Sequence, residues 1–266
     1  MKIYFAGTYS RSHYIYDESM KIFLAGNHKH TKYFIDVIEG SKPNILDSYF
    51  YISEKEKWFN TIKNYCADFL LDSGAYTFMQ GLGGKPDWTQ YAKQYGQFIK
   101  NHGITKYFEL DLDSLMGIKE VEYLRGIIED TAGVACIPVW HKSRGLDYWY
   151  KMCEQYDYVA IGGIVSGEIK KHQYGIFTKL ISIADKTKTK VHGLGFTNLE
   201  GLKKYSFHSV DSTAWLYGNR GGYLYKFNGQ TLVKYYQKDK RMKGKAAAIH
   251  NFTEWVKFSK FVESNY

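Results

Sequence analysis

Residues 134–164, VACIPVWHKSRGLDYWYKMCEQYDYVAIGGI, hold one strand–helix–strand unit in a single continuous stretch. Two short apolar runs, 134–140 and 158–164, flank a segment with helical spacing at 145–156. A strand followed by a helix and then by another strand favours a parallel sheet with helices packed on it. The stretch therefore predicts an α/β fold.

The same alternation continues over most of the 266 residues. Strands are predicted at 2–6, 45–52, 67–72, 106–112, 134–140, 158–164, 189–195 and 207–211, and further helices at 87–101, 117–131, 173–186 and 197–204. Eight strands in a chain of this length favour a closed (β/α)8 barrel, the TIM barrel, over an open doubly wound sheet.

The alternation ends near Trp215. We expect residues 1–215 to form the barrel, with an irregular insertion at about 7–44, and residues 216–266 to form a small, basic, Tyr-rich C-terminal appendage. Within the appendage, Asn228-Gly229 predicts a hairpin turn because this dipeptide suits positive φ. The pattern at 246–263 predicts an amphipathic terminal helix.

The net charge raises the question of a polyanionic partner. Lys and Arg number 36 against 27 Asp and Glu, a formal charge of +9. A Lys-rich composition alone would explain this, but the stretch 234–245 (KYYQKDKRMKGK) concentrates five Lys and one Arg beside two Tyr. Cations neutralise phosphates and aromatic rings stack on bases, which indicates a nucleic-acid surface. Its candidate residues are Lys234, Lys238, Lys240, Arg241, Lys243 and Lys245.

The cysteines and the hydropathy of the sequence indicate the cellular compartment. The three cysteines, Cys66, Cys136 and Cys153, are far apart and odd in number, which favours neither a disulfide framework nor a metal cluster. No run approaches 18 apolar residues, and the N-terminus lacks a secretory pattern. We therefore expect a cytoplasmic protein without a membrane partner or a bound metal.

Polar and glycine residues follow the predicted strands at corresponding positions. In a barrel of this type the catalytic groups lie at the carboxyl ends of the strands. A lone aspartate there is more often a helix cap. Six such positions in successive units indicate one site, and they are Asp72, Asp111 or Asp113, His141, Gly162 with Gly163, His192 and Asp211.

Several of these positions have more than one interpretation. Ser73 and Gly74 after Asp72 let the backbone approach a ligand on which Tyr76 could stack, or they form only a cap turn. Asp111 and Asp113 point to the same side of a strand, where two like charges raise one pKa or bind a donor-rich heterocycle. Gly162 and Gly163 leave room for a flat ring or phosphate, or form a tight turn.

The last strand supplies a candidate nucleophile. Asp211 at its end could attack an anomeric carbon while a second acid protonates the leaving group. Gly193 and Gly195 are typical of a phosphate-binding loop, which keeps open a second hypothesis, a barrel enzyme for a small phosphorylated metabolite. A third is a nucleic-acid-binding barrel without catalysis.

Four segments together resemble the tRNA-guanine transglycosylases. DSGAY at 72–76 resembles their DSGGF box, GGIVSGE at 162–168 their GGLAVGE loop, and HGLG at 192–195 the end of their LMGVG strand. FHSVDSTAW at 207–215 falls where the family has its FDCV nucleophile box. The sequence SVDST at 209–213 is closer to divergent phage and bacterial relatives that place 7-deazaguanines in DNA. A phage-encoded protein of this kind would act in the host cytoplasm.

The resemblance implies roles for individual residues. Asp211 would be the nucleophile at C1′ and Asp72 would contact the base and move protons. Tyr76 would stack on the base, and Asp111 or Asp113, with weak preference for Asp113, would bind the guanine edge. His141 stands in the region of a family glutamine that has no counterpart here, and Gly163 would offer its main chain.

The resemblance also implies the reaction. The family exchanges guanine in nucleic acid for a 7-deazaguanine such as 7-cyano-7-deazaguanine, with no organic cofactor. Its Cys-x-Cys-x-x-Cys zinc cluster is missing from this sequence, which has no cysteine beyond Cys153. Because the zinc subdomain helps to engage tRNA, we expect DNA as the polymer, with tRNA as the alternative.

Overall fold

The computed structural model describes residues 19–26, 31–216, 223–236, 242 and 244–266. Within these ranges the chain is an α/β protein built on one parallel sheet of seven strands and one two-stranded antiparallel hairpin. The parallel strands are β1 Lys21–Ala25, β2 Asn44–Ser48, β3 Asp68–Asp72, β4 Val139–Trp140, β5 Tyr158–Ile161, β6 Lys190–Gly193 and β7 Ser209–Ser212. Their order in the sheet is β3-β2-β1-β7-β6-β5-β4.

Helices follow the strands along the chain. In the described residues they are α1 Thr31–Ser41, α2 Tyr49–Ile52, α3 Glu56–Tyr65, α4 Ala75–Met79, α5 Trp88–His102, α6 Asp113–Met116, α7 Ile118–Ala132, α8 Gly145–Gln155, α9 Ile176–Thr187, α10 Leu199–Lys204 and α11 Gly244–Asn265. Short 3-10 helices lie at Lys142–Arg144 and Lys171–Gln173. Within the described ranges, no helix is both long enough and apolar enough to cross a membrane.

Successive side chains of a strand point to opposite faces of the sheet, and here both faces are buried. Ile22 and Leu24 belong to the large apolar cluster that includes the helices, whereas Phe23 and Ala25 belong to a smaller cluster on the other face. The sheet is curled, so that Phe108, beside the β3 edge, packs against His192 of β6 with ring centroids 5.1 Å apart. The smaller cluster therefore fills the concave face.

The curled sheet is not closed, so the predicted closed eight-stranded barrel is not confirmed. Residues 106–112, predicted as a strand, form only two isolated parallel bridges, Leu71 with Tyr107 and Phe108 with Ile137. The ladder stops because the next amide, that of Val139, donates to the Glu109 side chain at 2.6 Å instead of to a backbone carbonyl. The buried Glu109 carboxylate thus takes the place of a backbone carbonyl as the acceptor.

The N-terminal third departs from the sequence prediction. The described part of the predicted insertion at 7–44 contains α1 and also β1, which lies inside the sheet between β2 and β7. The strand predicted at 45–52 ends at Ser48, and α2 follows it. The strand predicted at 2–6 lies outside the described residues. β1 was missed because the five-residue run KIFLA is buried on both faces and shows no alternation.

The predicted hairpin and terminal helix are both present. β8 Tyr223–Phe227 pairs antiparallel with β9 Leu232–Tyr236. Gly229 adopts φ +94°, and the Asn228 side chain accepts hydrogen bonds from the amides of Gln230 and Thr231. The loop thus spans four residues, and its side chain–backbone bonds replace those of a tighter turn.

Helix α11 is part of the main core and not a separate appendage. It packs against β1 and β8. Phe252 is fully buried against Trp215, with ring centroids 5.1 Å apart, and the Trp215 indole donates to the Ala25 carbonyl at 2.9 Å. These contacts join the C-terminal helix to β1.

We expect Phe252→Ala to lower the free energy of unfolding by about 3–5 kcal/mol, because it removes a fully buried ring. Ser264→Ala, at an exposed position of the same helix, should change it by less than about 0.5 kcal/mol. Denaturant unfolding followed by circular dichroism measures both. A separate transition for the helix, or no loss for Phe252→Ala, would show that α11 folds independently.

Candidate active site

The carboxyl ends of the strands bring together side chains that are far apart in sequence. Asp72 ends β3 and Asp211 lies in β7, on either side of β2 and β1. The charges of Asp111 and Asp211 both act on the Asp72 carboxyl, so the three groups share one region. Asp72 and Asp211 therefore lie close enough for their charges to interact.

Asp72 is a partly buried carboxyl with little compensating charge. Its Oδ2 accepts a hydrogen bond from the Gly74 amide at 3.0 Å. Burial raises the pKa of Asp72 to about 6, and the negative charges of Asp111 and, less strongly, Asp211 act in the same direction. The hydrogen bond from Gly74 and the nearby Ser48 hydroxyl oppose this rise. Near neutral pH the group can both donate and accept a proton.

Asp211 is held by hydrogen bonds on one oxygen. Its Oδ1 accepts from the Gly195 amide at 2.6 Å and lies 3.2 Å from His192 Nε2. Both of its hydrogen bonds within the described residues fall on Oδ1. The carboxylate is therefore fixed in orientation while Oδ2 keeps its lone pairs.

His141 lies between two carboxylates. Its Nε2 is 3.2 Å from Asp111 Oδ2 and its Nδ1 is 3.1 Å from Glu168 Oε2. Burial disfavours the charged ring, but the hydrogen bonds to Asp111 and Glu168 outweigh it and raise the pKa of His141 to about 9. At neutral pH the ring is an imidazolium that donates to both carboxylates.

Asp113 belongs to a buried ion network. The Arg144 guanidinium donates to Asp113 Oδ2 at 2.7 Å and to Glu109 Oε1 at 2.9 Å. Glu109 is fully buried, and Arg125 Nε lies 2.8 Å from its other oxygen. Asp113 is thus engaged by an arginine, whereas Asp111 faces His141 and Asp72.

The first two glycines of the 162–168 loop leave space for the protein's own side chains. A Cβ on Gly162 would lie 2.7 Å from the His141 ring, and one on Gly163 would lie 2.6 Å from Glu168 Oε2. The expected opening for a flat ring or phosphate at these glycines is therefore occupied by His141 and Glu168.

The glycines of the HGLG segment also have structural roles. Gly193 packs closely against Phe207, and Gly195, at φ +66°, would place a Cβ 2.3 Å from Val165. The Gly195 amide, the group a phosphate would use, donates to Asp211. The geometry therefore does not favour the phosphate-loop interpretation of these glycines.

The DSGAY segment forms a turn into α4. Gly74 adopts φ +88°, and Ser73 is buried with its carbonyl accepting from the Tyr91 hydroxyl at 2.7 Å. Tyr76 is 47% exposed, so its ring remains accessible for stacking. The segment positions Asp72 and presents one aromatic side chain.

The predicted nucleic-acid surface is described only in part. Lys234 in β9 is exposed, with its ammonium 4.8 Å from the Tyr223 ring centre, and Lys245 is exposed at the start of α11. Tyr235 and Tyr236 beside Lys234 are 64% and 66% exposed. Lys238, Lys240, Arg241 and Lys243 lie outside the described residues.

Comparison with known proteins yields no match, neither to a family model nor to a curated protein. A function for the chain therefore has to be argued from the site. In the described part of the chain, no group of three or more His, Cys, Asp or Glu side chains has a geometry that could hold a metal ion.

Four residues of the site were missing from the sequence prediction. Glu168 closes the GGIVSGE segment, Arg144 follows His141 in the same turn, and Ser209 precedes Asp211 by two residues. Glu109 is an acidic residue within the apolar run 106–112, a pattern that indicates a buried ion pair. The partners of Glu109, Arg125 and Arg144, could not be predicted from the sequence, because they lie in other parts of the chain.

A groove of about 780 Å³ lies at the opposite edge of the sheet. Lys190, at the start of β6, and His208, just before β7, line it together with Lys203 and Tyr205. Because these are the amino ends of the strands, the groove is separate from the carboxylate cluster.

The raised pKa of Asp72 predicts a pH-dependent stability. Because its folded pKa of about 6 exceeds the unfolded value, the folded state binds the proton more tightly. The stabilisation is present below pH about 4 and lost as the pH rises through about 6. Asp72→Asn should therefore gain stability relative to the natural protein, reaching about 3 kcal/mol at pH 8, since each pKa unit corresponds to about 1.4 kcal/mol.

Urea unfolding at several pH values measures this difference. Asp111→Asn should lower the pH at which this stabilisation is lost, because the Asp111 charge contributes to the raised pKa of Asp72. A pH-independent difference between Asp72→Asn and the natural protein would contradict the assignment.

Gly163 and Gly167 provide a matched pair, since both adopt φ +78°. A Cβ at Gly167 meets nothing within 4 Å, whereas one at Gly163 meets Glu168. Gly167→Ala should cost about 1–2 kcal/mol from backbone strain alone. Gly163→Ala should cost at least about 1 kcal/mol more, and equal losses in thermal or urea unfolding would contradict the close packing of Glu168.

Proposed function

We propose that this chain is a base-exchange transglycosylase that replaces guanine in nucleic acid, DNA before tRNA, by a 7-deazaguanine such as 7-cyano-7-deazaguanine. One observation carries the proposal. Two converging carboxyl groups have different environments, Asp211 fixed through Oδ1 and Asp72 with a pKa raised to about 6 by burial and neighbouring charge. Different environments give two carboxyl groups different chemical roles.

In the first half-reaction, Asp211 Oδ2 attacks C1′ of the target nucleotide. The C1′–N9 bond breaks, its electron pair stays on the guanine, and Asp72 donates a proton to the leaving base. A covalent glycosyl ester on Asp211 results. Splitting the exchange into two displacements keeps the configuration at C1′.

In the second half-reaction, the 7-deazaguanine occupies the place of guanine. Asp72, now a carboxylate, takes the proton from its N9, and N9 attacks C1′ while the bond to Asp211 breaks. Both carboxyl groups return to their starting states, so the cycle needs neither a cofactor nor an external acid.

Asp111 is the better candidate for binding the guanine edge. Ring N–H and exocyclic amino groups of guanine are donors that a carboxylate accepts. Asp113 is neutralised by Arg144. Asp111 has no arginine partner: it is hydrogen-bonded to His141, which also binds Glu168, and its charge acts on Asp72. The preference for Asp113 stated from sequence is therefore reversed in this proposal.

We also infer that the strands follow the plan of a (β/α)8 barrel. The two isolated bridges at Tyr107 and Phe108 lie between the β3 and β4 edges, and four backbone hydrogen bonds accompany them. With 106–110 as a short additional strand, each of eight strands precedes a helix, and α11 follows β7 after the hairpin. Catalytic groups at the carboxyl ends agree with that plan.

A nucleic-acid partner is supported by charge and exposed aromatic rings. The chain carries +9, and the β9 strand exposes Lys234, Tyr235 and Tyr236. Extruding a base from a duplex costs a few kcal/mol, which contacts to the backbone and stacking have to offset. The absence of the family's cysteine cluster from the sequence favours DNA over tRNA.

Asp211→Asn tests the proposal. The protein is incubated with guanine-containing DNA or tRNA and labelled 7-cyano-7-deazaguanine, and the nucleosides are then analysed. The variant should lose at least about 1,000-fold in exchange, because the amide is a poor nucleophile, and should keep its polynucleotide affinity. The natural protein should also form a polynucleotide adduct that survives denaturation.

Asp130→Asn, the same substitution at an exposed position near the end of α7, should retain exchange. Incorporation into tRNA alone would select the tRNA alternative. Polynucleotide binding without exchange would select the non-catalytic barrel, and neither binding nor exchange would leave the metabolite hypothesis.

A further inference from the structure

A continuous chain of polar side chains ends at Asp211. Tyr158 in β5 hydrogen-bonds Ser209 in β7, Ser209 Oγ lies 2.5 Å from His192 Nδ1, and His192 Nε2 lies 3.2 Å from Asp211 Oδ1. Three adjacent strands, β5, β6 and β7, supply the four groups. The sequence resemblance offers no counterpart for this chain, because its segment HGLG differs from LMGVG at the histidine.

His192 is fully buried beside two phenylalanine rings. It is 0% exposed, and the rings of Phe108 and Phe23 lie 5.1 and 6.2 Å away, centroid to centroid. Both ring nitrogens nevertheless have partners. The ring therefore has one orientation, fixed at one end by Ser209 and at the other by Asp211.

The direction of the hydrogen bonds follows from the donors. Burial raises the pKa of Tyr158 well above its ordinary value, so the phenol keeps its proton. Tyr158 then donates to Ser209, Ser209 donates to Nδ1, and Nε2–H donates to Asp211. If His192 Nδ1–H donated to Ser209 and Ser209 donated to Tyr158, the hydroxyl proton of Tyr158 would need a different acceptor. The arrangement matches a neutral His192 protonated on Nε2.

We propose that Tyr158 and Ser209 hold His192 in its Nε2–H tautomer and thereby orient the Asp211 carboxylate, with Oδ1 bound and Oδ2 available to react. The three are positioning residues, since they act through Asp211. The catalytic part of the inference rests on the proposed base exchange, whereas the tautomer does not.

The physical gain is orientation. A carboxylate free to rotate presents either oxygen in many directions, and a fixed one presents Oδ2 alone. His192 and the Gly195 amide both donate to Oδ1, from a side chain and from the backbone. Loss of the histidine donor would leave a single bond to fix the group.

The tautomer is measured first, on the full-length protein labelled with ¹⁵N in histidine. We expect the two His192 nitrogens to show the shift pattern of a neutral ring protonated on Nε2 at pH 7. Ser209→Ala should lose that pattern, because Nδ1 loses its donor, and Ser209→Thr should restore it by keeping the hydroxyl. Tyr158→Phe should have a smaller effect than Ser209→Ala.

Kinetics of base exchange separate positioning from structure. Ser209→Ala should lower kcat about 10- to 100-fold with little change in KM, and Ser209→Thr should recover most of the loss. Circular dichroism checks that each variant is folded. If Ser209→Ala does not fold, Tyr158→Phe and the spectrum of the natural protein still decide.

A His192 spectrum of the imidazolium or of the Nδ1–H tautomer in the natural protein would overturn the inference. Unchanged kcat and spectrum in Ser209→Ala would also overturn it. If the natural protein shows no exchange on DNA or tRNA, the proposed function fails, but the spectra still decide the tautomer.

Discussion

The burial of several carboxyl groups near the carboxyl ends of the strands is the constraint on which the rest of the site depends. Asp111, Asp113 and Glu168 are each paired with a cation or a backbone amide, through His141, Arg144 and the Ser143 amide. Asp72 receives a hydrogen bond from the neutral Gly74 amide instead. Burial, the larger cause, and the negative charges of Asp111 and Asp211 together raise the pKa of Asp72.

The buried cations also determine the shape of the sheet. Glu109 is fully buried between Arg125 and Arg144, and its oxygen takes the Val139 amide that a regular ladder would use. Buried ion pairs contribute little net stability but are costly to break, about 3–5 kcal/mol when one partner is lost. The network therefore fixes the segment between the β3 and β4 edges and, through Arg144, pairs Asp113 with a cation.

Glycines near the site serve the protein's own side chains more than a ligand. Gly162 and Gly163 admit His141 and Glu168, and Gly195 brings its amide to Asp211. From sequence alone a glycine after a strand has the same pattern whether it admits a ligand or a neighbouring side chain. The contact that distinguishes the two comes from a different strand.

The sequence by itself determined the alternation of strands and helices, the hairpin and terminal helix, and the acidic strand ends at Asp72 and Asp211, because each depends on local periodicity. Only the tertiary structure decided that β1 lies inside the sheet between β2 and β7, that Glu109 interrupts the ladder, and that Arg144 engages Asp113. It alone joined Tyr158, Ser209 and His192 to Asp211. These features depend on which strands become neighbours, and strands from distant parts of the sequence pair here, as Lys21 of β1 does with Ser209 of β7.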